Sequence, residues 1–171
     1  MPAEIRIRPA LPGDVADIAR IYNQGIRARI ATFETEERTP EERRTWLLGH
    51  DAHHPVLVAT DTGERIVGWA DASGYRSRAC YAGVAEFSIY VDEVARGQGV
   101  GSVLLPGLID AARDAGLWKL VSRIFVENAA SRALCARCGF REVGIYEKHA
   151  RLDGIWRDVV IVERLIPENQ S

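Results

Sequence analysis

A chain of 171 residues and 19.0 kDa has room for one domain, and folding at that size hides roughly 70% of the extended-chain surface. Apolar residues make up 47% and charged residues 27%, globular usage that excludes disorder, collagen and coiled coil. With 22 Lys and Arg against 24 Asp and Glu the net charge is −2, so neither nucleic acid nor an anionic membrane is an expected partner. No apolar run approaches the ~20 residues of a membrane span, and MPAEIRIRPA lacks the apolar core of a signal peptide. A cytoplasmic protein is therefore expected. Cys80, Cys135 and Cys138 are too few, and odd in number, for a disulfide framework.

EIRIRP alternates like a strand. Pro12-Gly13-Asp14 opens a helix whose apolar positions Val15, Ile18, Ala19, Tyr22 and Ile26 follow the 3.6 period. A second helix begins at RTPEERRTWLLGH, where Thr39 and Glu42 form a capping box and Pro40 takes the first helical position. Its EERR and RRTW stretches read as solvated faces. PVLVAT and RIVGWADASG flank Asp61-Thr62-Gly63-Glu64 as a hairpin, and VAEFSIYV is a further strand. From Gly99, residues Val100, Val103, Leu104, Leu108, Ala111 and Ala115 make an amphipathic helix that Gly116 stops. KLVSRIFV is a strand, Asn128 caps a short helix and Gly139-Phe140 ends it. A closing hairpin turns at Asp153-Gly154, and only the terminal PENQS looks loose. The order β-α-α-β-β-β-α-β-α-β-β is that of a mixed α/β sandwich and not of a doubly wound fold.

ARGQGVGSVLL carries the sharpest chemical signal. Gly97, Gly99 and Gly101 alternate at a strand-to-helix junction, where glycine lets backbone N–H groups close on a ligand and the helix N-terminus favours phosphate. Arg96 adds a cation beside them. The Gly-x-Gly-x-Gly spacing matches neither the dinucleotide fingerprint nor the Walker loop. Glu86 is the second signal. It shares one strand face with Ser88 and Tyr90, opposite Ala85, Phe87, Ile89 and Val91. An acid in mid-strand is costly to bury unless it is paired with an arginine or used in chemistry. Cys135-x-x-Cys138 has the spacing of a redox dithiol or half a zinc site, but it sits late in a helix and no second ligand pair matches it. Core packing is the preferred reading, and no metal is expected.

VDEVARGQGVGSVLL closely resembles the Arg/Gln-x-x-Gly-x-Gly/Ala signature of the Gcn5-related N-acetyltransferases (GNAT), and VENAASRALCARCGF resembles their Asn-x-x-Ser…Gly-Phe segment. IYNQGI, ATFETEERTP, VAEFSIYV and DGIWRDVVIVE resemble the phosphinothricin and methionine sulfone/sulfoximine acetyltransferase subfamily. The resemblance implies one GNAT-type domain over residues 1–171, core about 4–166, built on a mostly antiparallel mixed sheet flanked by helices.

It implies acetyl-CoA as cosubstrate, with Ile89, Tyr90 and Val91 on the acetyl-pantetheine arm. Arg96, Gly97, Gln98, Gly99, Val100, Gly101 and Ser102 would then lie on the pyrophosphate, and Asn128 and Ser131 on the pantetheine. Glu86 matches the subfamily's proposed general base, acting on the amine directly or through water. Phe33 and Glu34 match a loop over the acceptor, Arg76 matches a substrate-loop arginine, and Tyr75, Arg78 and Ser88 join them as candidate substrate contacts. Arginines suit a carboxylate or phosphinate. The implied acceptor is a small amine such as phosphinothricin, methionine sulfoximine or sulfone, or arsinothricin, with a resistance role and a homodimer. Cys135 stands where the subfamily carries a histidine, which leaves the general acid open. A protein N-terminus or polyamine acceptor, a non-catalytic acyl-CoA sensor and a redox module remain as rivals.

Overall fold

The computed structural model describes residues 4–171. Strand β1 (Arg6–Pro9) is followed by helices α1 (Val15–Ala28) and α2 (Pro40–Leu48), then by strands β2 (Val56–Thr60), β3 (Ile66–Gly74) and β4 (Val84–Val91). Helix α3 (Val100–Asp114), strand β5 (Lys119–Phe125), helix α4 (Ala129–Arg137) and the hairpin β6 (Arg141–Leu152) and β7 (Ile155–Leu165) complete the chain. The strands form one sheet in the order β1-β2-β3-β4-β5-β7-β6, antiparallel except for the parallel pair β4–β5.

Period-2 alternation sorts the two faces. Ala85 and Phe87 of β4 join α3 in the larger core with Ala70, Leu104, Leu108 and Leu120. On the other face, Tyr90 packs with Trp69, Tyr22 and Trp46 beneath α1 and α2, its ring stacked on Trp69 at 5.0 Å. The β4–β5 pairing holds only at Val84–Lys119, Ala85–Leu120 and Glu86–Val121. Beyond it β3 continues to pair with β4 up to Val91, and β7 with β5 up to Phe125. The two halves of the sheet therefore part in a wedge.

Local signals act as expected where they are self-contained. The Thr39 hydroxyl accepts from Glu42 N–H while the Glu42 carboxylate accepts from Thr39 N–H. Asp153 and Gly154 both take positive φ, the geometry of a tight hairpin turn. Three expectations change. Leu105, Ile109 and Ala112 join Val100, Leu104 and Leu108 on the buried face of α3, while Val103 is exposed and Ala115 falls beyond the helix end. Two overlapping apolar stripes fit the 3.6 period, and packing across the sheet picks between them. The α2 surface is not fully solvated, because Arg43 and Trp46 turn inward and the Arg43 guanidinium lies over the Tyr22 and Trp46 rings. The C-terminal residues are not loose either. The Asn169 side chain donates 2.8 Å hydrogen bonds to the Arg113 and Leu117 carbonyls, locking the tail to the end of α3.

Just past β4 sits Asp92, with no exposed surface. It accepts from Arg20 (2.7 Å), Arg65 (3.0 Å), Gln24 (3.2 Å) and the Val94 N–H (3.3 Å). Burial alone would raise its pKa; the Arg20 and Gln24 hydrogen bonds outweigh that and hold the carboxyl below the ordinary range. A depressed native pKa contributes stability above the unfolded value of about 4 that is lost as pH falls through the native one. Asp92→Ala should cost about 1–3 kcal/mol in urea unfolding near neutral pH, since the Gln24 amide and the Val94 N–H lose their buried acceptor while Arg20 keeps Asp17. The advantage of the wild type over Asp92→Asn should shrink steadily on acidification below about pH 5.

Candidate active site

The wedge between β4 and β5 opens into a cleft of about 560 Å³, floored by Ile89, Tyr90 and Val91 and closed at its far side by Asn128, Ser131 and Leu134. At one end the chain leaves β4 through a 3-10 turn and enters α3 at Gly97–Gly101. Gly97 (φ 73°) and Gly99 (φ 84°) are left-handed, and a Cβ on either would point into open space. The first turn of α3 lines the same space with Val100, Gly101 and Ser102, whose N–H groups have no partner within the helix. Arg96 stands at the rim. The result is a glycine cradle, open because two side chains are missing and positive because of a helix N-terminus and a guanidinium, features that suit an anion. Gly101 does a different job. A Cβ there would approach Leu134 Cδ2 to 2.9 Å, so the Leu134 side chain of α4 would have to turn aside. Gln98 does not line the cleft, because its amide turns back onto the Val94 carbonyl at 3.1 Å.

Asn128 caps α4 by accepting from Ser131 N–H (3.2 Å), and its Nδ2 donates to the Ile30 carbonyl (3.3 Å). The loop after α1 is thereby strapped across the cleft. Phe33 in that loop packs edge-on against Phe125, and Glu34 pairs with Arg38 at 2.6 Å. Glu86 lies at the last β4–β5 rung, on the face shared with Ser73, Ser88 and Asp71 across β3. Its two oxygens accept from Arg123 Nη2 at 3.0 and 3.1 Å. Its side chain is a third exposed, and Ser88 is open to solvent.

Residues 18–140 match the acetyltransferase (GNAT) family. The chain belongs to that family. It is 41% identical over 165 residues to the phosphinothricin N-acetyltransferase of Streptomyces coelicolor, covering 95% of this chain and 96% of that one. It is 32% identical over 166 residues to the L-methionine sulfoximine/L-methionine sulfone acetyltransferase of Pseudomonas aeruginosa, covering 96% of each. A phosphinothricin acetyltransferase from Sinorhizobium meliloti, solved in complex with acetyl-CoA, superposes with a TM-score of 0.90 at 28% identity, covering 97% of this chain and 89% of that one. The protein is thus an acetyl-CoA-dependent N-acetyltransferase.

Within this acetyltransferase, the remaining sequence candidates fall in separate places. Tyr75 and Arg76 line a second hollow of about 440 Å³ with Tyr81, Trp118, His53 and His54, and none of these borders the main cleft. Arg76 stacks over Tyr75 at 5.0 Å, and Arg78 is exposed in the same loop. Cys135 points into the core, away from the cleft, and burial pushes its thiol up to about 12, with the neighbouring Cys138 adding to the effect. Cys135 does not line the cleft, and the raised value disfavours the thiolate that dithiol chemistry needs. Sequence reasoning passed over Arg43, His50 and Asp71. The only signal for Asp71 was a lone acid inside an apolar strand, the feature that singled out Glu86.

Replacing Gly99 by valine should lower acetyl-CoA affinity at least about tenfold in calorimetry while the circular dichroism spectrum stays intact, since the new side chain fills the cradle and disfavours the left-handed backbone.

Proposed function

We propose that this enzyme acetylates the amine of a small amino-acid analogue carrying a second acidic group, of the phosphinothricin, methionine sulfoximine or sulfone, or arsinothricin type. The observation that carries the reading is the arrangement of β4: a glycine cradle beyond one end, and a partly exposed carboxylate, Glu86, where the strand leaves its neighbour. The names of the relatives support the substrate class.

In this reading Arg96 and the backbone from Gly97 to Ser102 hold the pyrophosphate, Ile89, Tyr90 and Val91 align the acetyl-pantetheine arm, and Asn128 and Ser131 border the pantetheine. Acetyl-CoA supplies an acetyl thioester. Glu86 takes a proton from the acceptor ammonium, directly or through water, while Arg123 holds the carboxylate in place. Ser88 lies one residue pair further along the same face, and Phe33 and Glu34 cover the acceptor. Arg76 and Arg78 sit in the loop between Gly74 and Val84. Gly74 pairs with Ala85, one rung from Glu86, and in this reading an arginine of the loop turns from the second hollow to meet an anionic group on the acceptor. The whole chain, residues 1–171, acts as one domain. Exposed Val143, Ile145 and Tyr146 on the edge strand β6, with Ile155 and Trp156 on β7, support a homodimer through this hairpin. A cytoplasmic site of action and a role in resistance to such analogues belong to the same proposal.

Thiol release from acetyl-CoA with phosphinothricin, methionine sulfone and spermidine as acceptors tests the reading. Glu86→Gln should lower kcat/KM for the amino-acid analogue by about 10²–10⁴, a defect that shrinks as pH rises and more amine is free. A wild-type rate for this variant at neutral pH would leave Glu86 as a structural partner of Arg123. Arg76→Ala should raise KM about tenfold for the two anionic acceptors with little change in kcat, because such a contact exists in the ground and transition states alike. Turnover of spermidine alone, indifferent to Arg76, would overturn the substrate class and leave the acetyl transfer standing.

A further inference from the structure

Beside Ser88 lies a buried histidine–aspartate pair that the reaction as described does not use. Asp71 on β3 is 3% exposed and is the register partner of Ser88, so both side chains rise from the same face. His50, just past α2, places Nε2 2.9 Å from Asp71 Oδ2 and Nδ1 2.9 Å from the Trp46 carbonyl oxygen. A carbonyl oxygen can only accept, so Nδ1 carries a hydrogen, and the other nitrogen shares a proton with the carboxylate. Burial alone would lower the His50 pKa, but the hydrogen bonds to Asp71 and Trp46 outweigh it and raise the value. Burial pushes the Asp71 carboxyl up, opposed by the His50 hydrogen bond, by Arg43 and by Ser88. The other ionisable groups around the pair are Tyr22 on α1, Tyr90 on β4 and Asp51 beyond α2, with Glu86 one residue pair along the open face.

We propose that His50 and Asp71 are positioning residues for acceptor recognition: they draw the Ser88 hydroxyl hydrogen inward, so that its oxygen presents lone pairs to the open face beside Glu86 and selects an acceptor that donates N–H. A serine hydroxyl in solvent donates or accepts with equal ease, and a buried carboxylate behind it removes the choice. Glu86 and Ser88 are two residues apart on one strand face, roughly 7 Å between their Cα atoms, a spacing that an ammonium can bridge with two of its hydrogens. The inference rests on the reading that this face receives the amine.

A double-mutant cycle tests it, with kcat and KM measured for the amine and for acetyl-CoA in wild type, Ser88→Ala, Asp71→Asn and the double variant. Ser88→Ala and Asp71→Asn should each raise the amine KM about tenfold and leave the acetyl-CoA KM unchanged. The double variant should be no worse than Asp71→Asn alone, because the aspartate acts through the serine. Ser88→Thr, which keeps the hydroxyl, should restore the wild-type KM. In the free enzyme, the NMR titration of the His50 ring should move to lower pH in Asp71→Asn. Additive losses, or an unchanged amine KM in the exposed-site variant Ser88→Ala, would overturn the proposal even if Asp71→Asn failed to fold. Glu86→Gln separates the two levels: if it impairs amine turnover while Ser88→Ala does not, only the positioning role falls. If neither variant affects the amine, the acceptor-face reading falls with it.

Discussion

Three rungs of parallel pairing between β4 and β5 are the constraint on which the rest of the structure depends. Each strand is held along its other edge to its end, β4 by β3 and β5 by β7, so neither can bend back to resume pairing. Backbone groups released by the split need partners. The Ser122 hydroxyl satisfies one, donating to the Phe87 carbonyl at 3.0 Å. The outer edge of Ile89–Val91 is left facing the cleft, where an extended ligand rich in amides can pair as another strand would. The opening is thus a strand-sized slot that the fold creates by declining to fill it.

Buried charge fixes what surrounds that slot. Asp92 ties α1, through Arg20 and Gln24, to the turn that leads into the glycine cradle. Gln24 also accepts from the Glu93 N–H at 2.9 Å, so the entry to the cradle is held by backbone and side chain together. Asp71 plays the corresponding part on the α2 side through His50. Glu86 differs from both. Its partner Arg123 is half exposed, and a pair open to water is exchanged at far lower cost than a buried one. The carboxylates that organise the scaffold are enclosed, and the one proposed to meet substrate is not.

The loop after α1 closes the site from above. Arg29 takes a left-handed conformation at the helix end and pairs with Asp153 in the turn between β6 and β7 at 2.9 Å. Phe33 meets Phe125, and Asn128 reaches Ile30. One short segment thus joins α1 to both β5 and the terminal hairpin, bridging the two halves that the sheet lets part.

The sequence by itself determined the element order and the glycine cradle, because each is written in local rules (a capping box, glycines at a helix start, alternation along β4), and it pointed to the family through the resemblance of its glycine and Asn-x-x-Ser segments. It also marked Glu86, since an acid amid apolar alternation is visible without coordinates. What only the tertiary structure decided depends on neighbours distant in the chain. The separate duty of Gly101 comes from Leu134, the buried stripe of α3 from sheet packing, and the anchored tail from the ends of α3. Arg76 lines a different hollow from the cleft between β4 and β5, a separation that nothing local to its loop encodes. Asp71 and His50 stand 21 positions apart, and no periodicity links a helix end to the middle of a strand. Only the packing of α2 over β3 brings them together, and burial then makes a proton shared between them cheaper than two groups left alone.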